Sequence, residues 1–131
     1  MVERATGVAD EVVADLVDAP AVAAAVQAAA PDAVVHLAAI AFPAHADNAA
    51  IYRVNVGGTL ALLEALAAGG FGQGGVLLPS TATVYASATD AALTEDSPVA
   101  PASHYAVSKL AMEHLARLFA GTLPVVLVRP F

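Results

Sequence analysis

The chain has 131 residues with 5 basic and 12 acidic side chains and no cysteine, so its formal charge is −7. A length of this order suits one domain spanning residues 1–131, and 59% hydrophobic against 13% charged residues excludes the polar composition that leaves chains disordered. The acidic balance without any lysine or arginine run speaks against nucleic acid as a partner; the absence of cysteine excludes a disulfide scaffold, a thiolate zinc site and a cysteine nucleophile, and fits a reducing, cytoplasmic setting.

In chain order, the first predicted element is a short strand over Glu11–Ala14. A helix over Pro20–Ala30 follows, with Pro20 just inside its first turn and Pro31 just beyond its end. Ala33–Leu37 reads as a buried strand. Asp47–Ala68 reads as one long helix, apolar on two flanks: Ile51, Val54, Leu62 and Leu66 on one, Leu60, Leu63 and Ala67 on the other. Such a helix should be covered twice. The segment Gly69–Gly75 follows a helix and opens a strand, the reverse of a dinucleotide-binding turn, and so reads as a connector. Val76–Pro79 and Val125–Val128 are further apolar strands. Between them lies a helix over His104–Ala120, with a predicted core stripe of Ala111, Leu115, Leu118 and Phe119.

Short apolar strands alternating with helices define an α/β fold with a parallel, doubly wound sheet. The longest uncharged stretch, Ala65–Thr89, is broken by five glycines and Pro79, so it is not a spanning helix, and no membrane partner is expected.

Tyr105 and Lys109 stand four apart and share one helix face. A free phenol has a pKa of about 10, and a cation one turn away stabilises the phenolate, bringing it into range for acid–base work on an alcohol or carbonyl. Ser80 and Thr81 end a buried strand, where ligands of open α/β sheets sit. Val35-His-Leu-Ala-Ala39 ends another strand in small residues, and Asn55 lies mid-helix without an obvious reason. The four histidines, 36, 45, 104 and 114, form no metal-binding spacing, so no metal is assigned. No serine sits in a nucleophile elbow.

From Ala14 to Phe131 these motifs resemble the extended short-chain dehydrogenase/reductase superfamily, in its NAD-dependent epimerase/dehydratase family. The resemblance rests on Ala14-Asp-Leu-Val-Asp18, His36-Leu-Ala-Ala39, Val54-Asn-Val-Gly-Gly-Thr59, Ser80-Thr-Ala-Thr-Val-Tyr85, Tyr105 with Lys109, and Val128-Arg-Pro-Phe131. It implies a Rossmann-like fold, an NAD or NADP cofactor and a nucleotide-sugar substrate. It also implies roles: Thr81 as the hydroxyl on the reacting sugar oxygen, Tyr105 as proton donor or acceptor, and Lys109 as the residue that tunes Tyr105 and holds the nicotinamide ribose. Asp15 and Leu16 match adenine contacts. Leu37, Ala38 and Ala39 match the loop beside the cofactor phosphates and ribose, Asn55 the asparagine supporting the active-site helix, and Pro130 and Phe131 the segment beside the nicotinamide. A homodimer through the 47–68 and 104–120 helices is implied as well.

Three departures stand out: the family's glycine-rich first turn and first two strands are missing, the substrate domain beyond Phe131 is missing, and Ala86 replaces a usual glycine. The expectation is therefore a partial Rossmann-like domain that retains the catalytic trio but does not by itself bind NAD(P) with useful affinity or turn over a nucleotide sugar. Dehydration is disfavoured, because Ala82 and Thr83 stand where dehydratases carry an acid. The stretches around His36, His45, Ile51-Tyr-Arg-Val-Asn55 and Tyr105–Glu113 most resemble GDP-4-dehydro-6-deoxy-D-mannose reductases. This implies 4-keto reduction of a GDP-6-deoxy-hexose, with a UDP-sugar 4-epimerase or a catalytically silent remnant as alternatives.

Overall fold

A computed structural model describes residues 12–41, 47–71, 74–85 and 92–131. Helix α1 spans Ala19–Ala29. Asp18 caps it, accepting a hydrogen bond from the Ala21 amide at 3.2 Å, which satisfies one of the donors a helix start leaves open. Ala30 then turns left-handed with φ 40°, and Pro31 prevents the helix from continuing.

Strand β1, Val34–Val35, pairs in parallel with β2, Val76–Pro79, which pairs in parallel with β3, Val125–Val128. The sheet order is therefore β1-β2-β3, with long helical crossovers as parallel pairing requires. Gly74 leads into β2 so close to the Asp32 carbonyl that a Cβ there would lie 1.5 Å from the oxygen. Only glycine fits. Pairing continues past the formal strands, with the Ser80 amide on the Val128 carbonyl at 2.7 Å and the Ala82 amide on the Pro130 carbonyl at 2.8 Å.

The segment predicted as one helix over 47–68 is helical throughout, but in three pieces. They are α2 (Asn48–Tyr52), a π-helical turn (Arg53–Gly58) and α3 (Thr59–Ala68). A π turn inserts a residue into the helical repeat and is a frequent feature of functional sites. Here it contains Asn55, buried with its side chain turned inward. The double cover expected of this helix is present, with α1 and the helix α4 (His104–Arg117) both packed against it.

Helix α4, His104–Arg117, is capped by Ser103 and ends three residues short of the predicted boundary. There the amides of Leu118 and Phe119 bond three residues back, to Leu115 and Ala116, at 3.0 Å each. This tightening throws Leu118 into solvent, 80% exposed, which corrects its place in the predicted core stripe. The face that α4 buries carries Ala106, Ser108, Lys109, Met112, Glu113 and Ala116. The core itself joins Leu63 and Leu66 of α3, Val76 and Leu78 of β2, Met112 and Ala116 of α4, and Leu123.

The predicted strand at Glu11–Ala14 is not borne out for its described part. Glu11 lies outside the described residues, and Val12 and Val13 are unpaired and 58% and 83% exposed. A strand needs a neighbour to satisfy its amides and carbonyls, and no described strand lies beside this one. The Ala33–Leu37 strand is shorter than expected, reduced to Val34–Val35, and it is not buried as expected, since Val35 and Leu37 are exposed.

Candidate active site

The carboxyl end of the sheet gathers an unusual set of buried polar side chains: His36, Asn55, Thr59, Ser80, Thr81, Ser108, Lys109 and Glu113. Among the described residues, no buried side-chain donor or acceptor there lacks a partner.

Lys109 donates to the carbonyl of Pro79, the last residue of β2, at 2.8 Å. Its ammonium thus lies at the strand's end, two residues before Thr81. Burial pushes the Lys109 ammonium below its usual range, since a low-polarity surrounding disfavours charge. Thr81 is buried and begins a 3₁₀ turn, Ala82–Val84; its hydroxyl accepts the Thr83 amide at 3.2 Å and lies 3.0 Å from the Thr83 hydroxyl. Tyr105, half-buried, stands one turn before Lys109 on α4.

Asn55 explains the π turn. Its Oδ1 accepts the Ile40 amide at 2.8 Å, while its Nδ2 donates to the Ile40 carbonyl and to the Ser108 hydroxyl at 3.0 Å each. Ser108 in turn donates to the Tyr105 carbonyl at 2.7 Å. One amide therefore pins the loop after β1 and, through Ser108, the helix turn that carries Tyr105. Beside it, Thr59 donates to the Asn55 carbonyl at 2.7 Å and lies 3.1 Å from His36 Nε2. With the Thr59 hydrogen committed to Asn55, Nε2 is the donor, which fixes the neutral tautomer. Burial and then the charge of Lys109 hold the His36 pKa down.

The remaining predicted contacts divide by location. Pro130 accepts the Ala82 amide, beside Thr81, and Phe131 follows it, 97% exposed. Leu37 and Ala38 are exposed and Ala39 half-buried on the loop that Asn55 holds. Asp15 and Leu16 lie just before α1. The Asp15 carboxylate accepts the Val17 amide at 3.1 Å, and Leu16 packs so tightly on the helix at Gly58 that a Cβ there would stand 2.9 Å from its own.

Sequence reasoning missed Glu113. It is 1% exposed and held from three sides. Ser80 donates to its Oε1 at 2.5 Å, and Arg129 donates to Oε1 at 2.8 Å and to Oε2 at 2.6 Å. Arg117 adds charge at 3.8 Å. Burial alone would raise the Glu113 pKa, but these hydrogen bonds and charges hold it below the usual carboxylate range. Arg129 also donates to the Tyr85 hydroxyl at 2.8 Å and lies 4.8 Å from the centre of the Tyr85 ring. The available signal was an acid one turn after Lys109 on the face of a helix that must be buried.

A parallel α/β sheet with buried polar side chains gathered at its carboxyl end defines a Rossmann-like scaffold. Residues 3–131 match the model of the NAD dependent epimerase/dehydratase family, and the chain belongs to that family. It is 33% identical over 117 residues to GDP-6-deoxy-D-talose 4-dehydrogenase of Aggregatibacter actinomycetemcomitans, covering 89% of this chain and 40% of the relative. It is 42% identical over 107 residues to GDP-6-deoxy-D-mannose reductase of Pseudomonas aeruginosa, covering 77% of this chain and 35% of that protein. The chain thus spans well under half the length of these relatives.

Among solved structures, UDP-glucose 4-epimerase from Brucella ovis in complex with NAD superposes with a TM-score of 0.82 at 30% identity, covering 90% of this chain and 37% of that one. RMD from Pseudomonas aeruginosa complexed with NADPH superposes at 0.79 with 38% identity, covering 89% and 41%. Among the described residues no helix is long and apolar enough to cross a membrane, and no cluster of His, Cys, Asp or Glu could hold a metal ion.

Proposed function

We propose that this chain carries the acid–base half of an NAD(P)-dependent nucleotide-sugar oxidoreductase, built for reduction of a 4-keto GDP-6-deoxy-hexose. The observation that carries this reading is Lys109 bound to the end of β2, with Thr81 two residues on and Tyr105 one turn back along α4. The donor set fits the nicotinamide-ribose part of the cofactor. An ammonium has three hydrogens, one is on Pro79, and the others are free to meet a ribose diol.

Bound NAD(P)H supplies the hydride that adds to the sugar C4. Thr81 donates a hydrogen bond to the C4 oxygen and orients it. Tyr105 transfers its phenolic proton to that oxygen as the carbonyl becomes an alcohol, and the positive charge of Lys109 stabilises the phenolate left behind. The alanine and threonine after Thr81 offer no carboxylic acid for dehydration. The GDP-sugar preference is supported by the two curated relatives, both named for GDP-6-deoxy sugars. The alternative, UDP-sugar 4-epimerisation, is supported by the Brucella ovis neighbour and uses the same three side chains.

Chimeras test this directly. The matched segment of the Pseudomonas aeruginosa reductase, and separately that of a UDP-glucose 4-epimerase, would be replaced by this chain's. The expected result is a reductase chimera that turns over its 4-keto substrate and loses about 10²–10⁴-fold of its rate with Tyr105→Phe. Activity in the epimerase scaffold alone would favour epimerisation. Folded, cofactor-loaded chimeras silent in both scaffolds would mark the segment as a remnant. Self-association through the outer faces of α2–α3 and α4 is also proposed, with Val107 and Leu118 exposed on or just beyond α4. A monomer at micromolar concentration in sedimentation would remove it.

A further inference from the structure

Glu113 is bonded to three parts of the site at once. It sits on α4 one turn after Lys109. Ser80, whose hydroxyl it binds, immediately precedes Thr81, and Arg129, which grips both its oxygens, immediately precedes Pro130. The carboxylate thereby ties the carboxyl ends of β2 and β3 to the helix that carries Tyr105 and Lys109. The same strand end also holds the Lys109 ammonium, through the Pro79 carbonyl.

We propose that Glu113 is a positioning residue, which clamps the end of β2 against α4 so that Lys109 stays seated on the Pro79 carbonyl beside Thr81. The proposal rests on the reading of Lys109 and Thr81 given above, but its test needs neither cofactor nor sugar. A bidentate arginine–carboxylate pair fixes orientation as well as distance, and here its carboxylate is buried and its guanidinium partly covered. Loosening it lets the residue-113 side chain swing away from Ser80 and frees the residues on either side. The Pro79 carbonyl would then draw away from Lys109 and admit water.

Lys109 is the only lysine in the chain, since the other four basic residues are Arg4, Arg53, Arg117 and Arg129. Its side-chain nitrogen can therefore be followed by lysine-selective NMR in the 131-residue protein without ambiguity. Among the groups packed around it, His36 at the end of β1 is neutral and its titration can be followed in parallel.

The test is the titration midpoint of Lys109 in the wild type, Glu113→Gln and Ser80→Ala. If Glu113 positions the strand end, Glu113→Gln hydrates Lys109 and its midpoint moves up, towards that of free lysine. If Glu113 acted on Lys109 only through its charge, removing that charge would move the midpoint down, because an anion nearby favours the ammonium. If the clamp serves β3 alone, the melting temperature falls and the midpoint does not move. Either of these last two results overturns the proposal.

Ser80→Ala cuts the β2 arm while keeping the Arg129 pair, so it is expected to fold even if Glu113→Gln does not. It should shift Lys109 upward with the smaller loss of melting temperature, and an unmoved Lys109 in this variant would sink the idea. Silent chimeras with an upward-shifted Lys109 would reject the enzymatic reading and leave the clamp standing.

Discussion

The helices and strands bury two kinds of cluster side by side, one apolar and one polar. Leu63, Leu66, Val76, Leu78, Met112 and Ala116 form a dry core in one. In the other, His36, Asn55, Thr59, Ser80, Ser108, Lys109 and Glu113 are buried as well. Burying apolar surface needs only fit, and is tolerant of which residue supplies it. Burying polar groups demands that each find its partner in one geometry. The first cluster therefore gives stability, and the second gives a single arrangement of Tyr105, Lys109 and Thr81 at a cost that the first offsets.

The contrast is broken most severely at the ion pair. Arg129→Met would leave Glu113 buried with Ser80 and only the exposed Arg117 at 3.8 Å, and is expected to cost about 3–5 kcal/mol in urea unfolding, the usual penalty for stranding a buried charge. Folding lowers the Glu113 pKa, so the pair's contribution is present above the unfolded value of 4.5 and is lost as pH falls through the folded value. The wild type should therefore lose part of its stability below about pH 4.5, and the Arg129→Met variant should lose less over that range. An acid limb of the same depth in both proteins would count against Glu113 as its source.

In the apolar cluster, Leu63→Ala removes a side chain that is fully buried and should cost about 3 kcal/mol. What sharpens the comparison is pH. This loss should be the same at pH 4 and pH 7, whereas the cost of Arg129→Met should be larger at pH 7.

Asn55→Ala is expected to cost about 2 kcal/mol, by orphaning the Ile40 amide and one Ser108 interaction. It should also remove the reason for the π turn. Amide hydrogen exchange would then show faster opening at Ile40 and around Tyr105, and slow exchange unchanged at Leu66. Loosening spread evenly over α3 would show that the two clusters are not separable.

These two clusters differed in how far the sequence revealed them. The Val125–Val128 strand and the proline-bounded first helix read correctly as elements, because apolar runs and periods mark strands and helices, although Val126 and Val128 are exposed. The same patterning misassigned α4. It placed Leu118 in the core and could not place Lys109 and Glu113 there, since burial of a charge depends on a partner elsewhere in the chain. Glu113 finds its partner 16 residues on, at Arg129, and Asn55 finds its own 53 residues on, at Ser108. The π turn was invisible for the same reason, although an asparagine in mid-helix marked the spot. Motif spacing singled out Thr81, Tyr105 and Lys109 as candidates. It did not reveal the network that holds them.

Helix α1 stands outside both clusters, and there the chain shows a local conflict that neither burial nor the site explains. Ala30 closes the helix at φ 40°, a conformation that costs an L-residue with a Cβ about 1–2 kcal/mol. Glycine would avoid that strain but loses about 0.4–1 kcal/mol through the greater freedom of its unfolded chain. The difference favours Ala30→Gly by about half a kcal/mol. Ala30 is exposed, and its amide bond to the Val26 carbonyl is available to glycine, so no packing or hydrogen bond is lost in exchange. The variant should therefore unfold at slightly higher urea with an unchanged slope, and leave the Lys109 titration where it was. A loss of stability would mean that the left-handed turn at Ala30 is not the conformation the chain holds in solution.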